Sequence, residues 1–135
     1  MTRSSVLGLS FDARDAARVA HFWADALGRE VADGADAHDA VVLPSDLPSA
    51  GPRLAFHQVP EGKTVKNRVH LDLISTDFEG ETERLIGLGA TVVNTISGQA
   101  RWTTFADPEG NEFDLIASSV RQQGVRSGDD WDGGA

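Results

Sequence analysis

The chain predicts an α+β fold made of two β-α-β-β-β modules, and three observations carry that prediction. A strand pattern followed by an amphipathic helix that ends on glycine occurs twice. The two glycines, Gly28 and Gly89, lie about 61 residues apart, an internal period that speaks to architecture more strongly than any single element. Near the end, Asp107-Pro108-Glu109-Gly110 reads as a tight turn between two further strands. Proline presets φ at its second position, aspartate bonds back to the turn backbone, and glycine suits the fourth.

Taken in order, Val6–Phe11 alternates, with Leu7, Leu9 and Phe11 on one face and Val6, Gly8 and Ser10 on the other. Asp12 and Asp15 are N-cap candidates. Val19, Phe22, Trp23, Ala26 and Leu27 then form the apolar stripe of a helix that Gly28 is placed to end. Trp23 is assigned to the core. Glu30–Ala32, Ala40–Leu43 and Arg53–Val59 are the expected strands of the first module. In the last of these, Leu54 and Phe56 oppose Arg53, Ala55 and His57. Pro44–Pro52 is a proline-rich loop. The polar connector Pro60–Arg68 carries Lys63, Lys66 and Arg68, and serves either as a solvated linker or as an anion contact.

The second module starts at Val69–Ser75, where Val69, Leu71 and Leu73 oppose His70, Asp72 and Ile74. Thr76-Asp77-Phe78-Glu79 reads as a capping box. Phe78, Thr82, Leu85 and Ile86 are the helical stripe, and Gly89 ends it. Thr91–Ile96, Arg101–Ala106 and Glu112–Ala117 complete the module. In the last strand Phe113, Leu115 and Ala117 face one way, and Glu112, Asp114 and Ile116 the other. Two carboxylates therefore stand opposite a packed face. The expected boundaries are modules at 4–59 and 69–117 within one domain of residues 1–118. Residues 119–135 form a polar tail in which Trp131 is an isolated aromatic, either frayed or docked on a neighbouring surface.

Composition narrows the function. A net charge of −9 argues against a nucleic-acid partner, which would call for a basic face. With no cysteine there is no disulfide and no thiolate chemistry. No apolar run approaches the roughly 20 residues of a spanning helix, and Met1-Thr2-Arg3-Ser4-Ser5 leads straight into a strand pattern rather than a signal segment. A cytoplasmic protein without membrane contact is the expectation.

Four segments together resemble the vicinal oxygen chelate superfamily of glyoxalases, extradiol dioxygenases and fosfomycin and bleomycin resistance proteins. They are His21 to Gly28, Val69 to Leu73, Arg84 to Ala90, and Asp107 to Leu115. The run from Phe56-His57 through Lys66 to Leu73 is similar to its glyoxalase-like domain branch. The resemblance implies that each module curls into a cupped mixed sheet, that the two cups face a ligand cavity, and that the protein is a homodimer. It also implies metal ligands on the first and last strands of each module. Carried over, these fall on Gly8, which cannot ligate, and on His57, His70 and Asp114. Two histidines and a carboxylate suit iron, zinc, manganese or nickel.

Such an ion would serve lyase, isomerase or dioxygenase chemistry by chelating two neighbouring substrate oxygens. The alternative is a metal-free protein of the bleomycin-resistance type that binds or sequesters a small molecule. A third reading is a structural or regulatory dimer with a vestigial cavity. Lacking the full four-ligand set, the chain is not expected to be a glutathione-specific glyoxalase. Without metal, His70 would serve as a general acid/base or hydrogen-bond donor. Asp72 shares its face and would either orient the His70 ring or pair with Arg53 or Arg101. Trp102 is a candidate apolar wall and Ser10 a candidate hydrogen-bonding contact for the ligand. Glu112 is assigned to the solvated mouth of its strand.

Overall fold

A computed structural model describes residues 3–46 and 51–118. The chain divides into two compact units, Met1–Thr64 and Val65–Ala135, each with its own sheet and helix. In the first, β1 (Gly8–Ala13), α1 (Ala16–Leu27), β2 (Asp39–Val42) and β3 (Arg53–Gln58) form a three-stranded sheet in the order β1-β3-β2. In the second, β4 (Leu71–Ser75), α2 (Phe78–Leu88), β5 (Thr91–Ile96), β6 (Trp102–Ala106) and β7 (Glu112–Ala117) form a four-stranded sheet in the order β4-β7-β6-β5. Both sheets are mixed. In each, the first strand runs parallel beside the last, β1 with β3 and β4 with β7, and the other pairs are antiparallel. No helix among the described residues is long and apolar enough to cross a membrane.

The helices form where periodicity and caps agree. The Asp15 side chain accepts from the Arg18 backbone N–H at the start of α1. Gly28 ends the helix in the left-handed region at φ 66°, which glycine adopts without a Cβ penalty. Alanines 16, 20 and 24 are buried with Val19, Phe22 and Trp23, and their small side chains let α1 pack against all three strands of its sheet. Phe11 stacks on Phe56 with ring centroids 5.0 Å apart. In the second unit Leu85 of α2, Phe105, Phe113 and Leu115 are fully buried, and the Phe105 and Phe113 rings stack across β6 and β7 at 5.4 Å.

Several expectations are corrected. Glu30–Ala32 is reduced to one bridge, Val31 to Val42, although Ala32 donates to Val41 and Glu30 accepts from Leu43 on either side of it. The polar run after Ala32 ends the pairing. The first strand starts at Gly8 rather than Val6, and Val6 and Leu7 are exposed. Likewise β4 starts at Leu71, Val69 is exposed, and Leu71 and Leu73 are only half-buried, because β4 is an edge strand. Ile86 is exposed: α2 packs on its sheet along a narrower stripe than the pattern suggested. The tail and Trp131 lie outside the described residues.

The cap of α2 is Asp77, not Thr76. Its carboxylate accepts from the Gly80 N–H at 3.1 Å. Glu79, which a capping box would turn back toward Thr76, instead accepts from Arg101 Nη1 at 2.8 Å. The Arg101 guanidinium in turn lies 4.5 Å over the Phe78 ring. Losing an N-cap costs about 1 kcal/mol, whereas an exposed substitution away from such a feature stays within about 0.5 kcal/mol. Urea unfolding should therefore show a clear loss for Asp77→Ala and little change for Thr76→Ala.

Candidate functional site

In the second unit α2 covers one face of the sheet, and the polar groups gather on the other. Phe113 and Leu115 point toward the helix side, so Glu112, Asp114 and Ile116 are presented opposite. The register lines up partners across the sheet: Asp72 pairs with Asp114 on the parallel side, and Thr104 pairs with Asp114 on the antiparallel side. Asp72, Asp114 and Thr104 thus form one row across three strands. His70 lies two residues before Asp72 and joins the same face.

The Asp107 turn sets this register. Its buried carboxylate accepts from the Glu109 and Asn111 N–H groups at 2.8 and 3.0 Å, and its carbonyl from the Gly110 N–H at 2.8 Å. The approach to His70 is pinned as well. Asn67 Oδ1 accepts from the Glu112 N–H at 2.9 Å, and Lys66 Nζ donates to Glu112 Oε1 at 2.8 Å. That hydrogen bond, with the attraction of the carboxylate, holds the Lys66 ammonium above its usual range. Glu112 is therefore a tethered group, not the free strand-mouth carboxylate expected from its position.

Thr104 Oγ1 donates to Asp114 Oδ1 at 2.5 Å. This occupies one oxygen of a carboxylate that is only 6% exposed and leaves Oδ2 facing His70. The His70 Nδ1 lies 3.2 Å from Asp72 Oδ1 and 3.9 Å from Asp114 Oδ2. Neither contact has hydrogen-bond geometry, so Nδ1 is buried without a hydrogen-bond partner. One ligand atom from each of His70, Asp72 and Asp114 lies within 4.8 Å of the other two. Donors on one first-row ion sit roughly 3 Å apart when adjacent and about 4 Å apart when opposite, given bonds near 2.1 Å. The cluster is close to that spacing, and an imidazole with two carboxylates is a sound donor set for a divalent ion.

The other sequence candidates fall in different places. Trp102 opens β6 opposite Ile116, half-buried, two residues from Thr104 on the same face. His57, Ser10 and Gly8 belong to the first unit. His57 is flanked in register by Asp12 and Asp39, is half exposed, and its Nδ1 lies 2.9 Å from Asp39 Oδ1. Ser10 is exposed beside Ala55. At Gly8, an added Cβ would lie 2.7 Å from Arg53 Cγ and 2.8 Å from the Arg53 carbonyl oxygen, so the stem of Arg53 fills the space of a side chain there. Arg101, offered as a partner for Asp72, is committed to Glu79. Sequence reasoning missed Thr104 and Asn67. Thr104 was within reach: counting back across the Asp107–Gly110 hairpin sets it opposite Asp114.

A sheet whose first and last strands run side by side in parallel, with one helix on its face, occurring twice in one chain, is the architecture of the vicinal oxygen chelate superfamily. The chain belongs to the glyoxalase-like domain family, whose model matches residues 8–116. Among solved structures it is similar to the fosfomycin resistance protein FosX from Mesorhizobium loti, at 16% identity and TM-score 0.65, covering 93% of this chain and all of that one. A FosX variant from Listeria monocytogenes, complexed with Mn(II) and 1S,2S-dihydroxypropylphosphonic acid, matches at 15% identity and TM-score 0.66, over 90% of this chain and 96% of that one. A glyoxalase/bleomycin resistance protein/dioxygenase family enzyme from Burkholderia phytofirmans PsJN matches at 13% identity and TM-score 0.65, over 84% and 98%. No curated protein sequence matches the chain.

Crowding at Gly8 has a measurable consequence. The neighbouring atoms include backbone, so Gly8→Ala should require β3 to shift and destabilise by roughly 1–3 kcal/mol, as overpacking does. Denaturant unfolding of the variant checks this.

Proposed function

We propose that the protein binds a divalent metal through His70 and Asp114 and acts as an enzyme on a small molecule, with lyase, isomerase or dioxygenase chemistry. The observation that carries this reading is the buried Nδ1 of His70, which has no hydrogen-bond partner and faces two carboxylates. When bound, such an ion polarises substrate oxygens as a Lewis acid or serves as a redox centre. The chain's own residues do the rest. Thr104 fixes the Asp114 carboxylate so that one oxygen remains available. Asn67 and Lys66 hold the segment leading to His70 against the start of β7.

The superfamily likeness supports His57 as a further ligand, and Asp39 on its Nδ1 suits that role: a carboxylate on one ring nitrogen leaves Nε2 as the metal-binding atom. Trp102 provides an apolar wall and Ser10 a polar contact for substrate, and His70 acts in catalysis through the ion it holds, being a general acid/base only in the metal-free reading. Mn(II) in the FosX complex makes manganese the first ion to try, ahead of iron, zinc and nickel. We further propose a cytoplasmic homodimer. The exposed valines 92 and 93 on edge strand β5, and Ile74 on edge strand β4, support a covered sheet edge. A metal-free binding protein of the bleomycin-resistance type is the second reading, favoured by the glycine at position 8 under the Arg53 stem.

Elemental analysis of protein purified without chelator, then titrated with Mn2+, separates the two readings. The metal reading expects near-stoichiometric binding in the native protein and loss of most affinity in His70→Ala. That variant should fold, because the sheet is held by Phe105, Phe113 and Leu115. Absence of binding in the native protein sinks the metal reading and leaves the sequestration reading. Light scattering at micromolar concentration should report a dimer, and a monomer alone would refute that part.

A further inference from the structure

We infer that Asp72 is itself a metal ligand beside His70 and Asp114. The inference rests on the metal reading above and adds to it a residue outside the set that the superfamily likeness carried over. The simpler role for Asp72 is to orient the His70 ring, and the geometry disfavours it. A carboxylate that orients a metal-bound histidine accepts a hydrogen bond from the ring nitrogen that faces away from the ion. Asp72 lies 3.2 Å from Nδ1, yet the pair lacks hydrogen-bond geometry and Nδ1 is left without a partner. Asp114 Oδ2 approaches the same nitrogen at 3.9 Å. Two carboxylates and a ring nitrogen that converge without bonding one another are arranged around a common point.

The backbone supports that arrangement. Asp72 and Asp114 are register partners on adjacent parallel strands, and side chains at partnered positions project from the same face. Asp114 is fixed by Thr104. Asp72 stands on the edge strand with its side chain 27% exposed, so an ion and its waters can reach it. Its other candidate partner in the same unit, Arg101, is held by Glu79. Three donors then come from the second unit alone. A second carboxylate makes the donor set harder than it would be without Asp72, which shifts preference toward Mn2+ among the divalent ions.

The test compares the full chain with Asp72→Asn, using Mn2+ for affinity and Co2+ as a spectroscopic probe, because its visible absorption reports donor number and type. Circular dichroism confirms folding, and Asp72→Ala replaces the first variant if that one fails to fold. A direct ligand predicts a fall in Mn2+ affinity beyond about 100-fold, with an altered Co2+ band for whatever still binds. An orienting residue would lower affinity by about 10–100-fold and leave the Co2+ band unchanged, which would overturn the inference, as would unchanged affinity. Native protein that binds neither ion fails the metal reading itself, and that outcome is distinct because the other two require the native protein to bind.

Discussion

β4 and β7 lie side by side in parallel, and their register decides what the face of the second sheet away from α2 can hold. Side chains alternate with a period of two, so a slip of one residue would carry Asp114 to the helix side and bring Phe113 out. Two features resist that slip. Phe113 and Leu115 are buried beneath α2, where a carboxylate would be costly. The Asp107 turn, with three backbone N–H groups satisfied from one residue, fixes how β6 enters β7. With register set on both sides of β7, Thr104 and Asp72 arrive beside Asp114 with no further instruction from the chain.

Much of this was legible in the sequence, for definable reasons. β7 is found at the expected residues because its alternation, its preceding turn and its length agree. The ends of α1 are found because an aspartate and a glycine sit at the positions where orphaned backbone groups need them. The misreadings occur where two local signals compete or where tertiary packing decides. Thr76 and Asp77 both suit an N-cap, and in the fold Asp77 caps the helix while Glu79 is engaged by Arg101. Ile86 and Val69 fit apolar periodicities, yet the periodicity does not state how wide the packed stripe is. Glu30–Ala32 has strand character and too few residues to use it.

The site was half legible. Alternation alone set His70, Asp72 and Asp114 on non-apolar faces of their strands, and the family likeness singled out His57, His70 and Asp114, of which the last two lie in the cluster with Asp72. What sequence could not supply was the pairing of β4 with β7, which are joined through a helix and two further strands. Local patterns carry no register for such a pair. The pattern left Asp72 either to orient His70 or to pair with Arg53 or Arg101, and only the register shows that it is also the neighbour of Asp114.

The two units share a topology and differ in what they put on the matching face. The first carries Gly8, with the stem of Arg53 lying where a side chain would be, and His57 beside Asp39 near the end of β3. The second carries a converging imidazole and two carboxylates. Arg53 is the register partner of Gly8, and a long side chain beside a glycine takes the room that the missing Cβ leaves. A larger side chain cannot be placed at position 8 by substitution alone, because β3 backbone would also have to move. The bare backbone at position 8 is thus built into the packing of the first unit. β4 of the second unit has room for a longer polar side chain: Asp72 keeps 27% of its side chain exposed, and the parallel register with β7 sets its carboxylate next to Asp114.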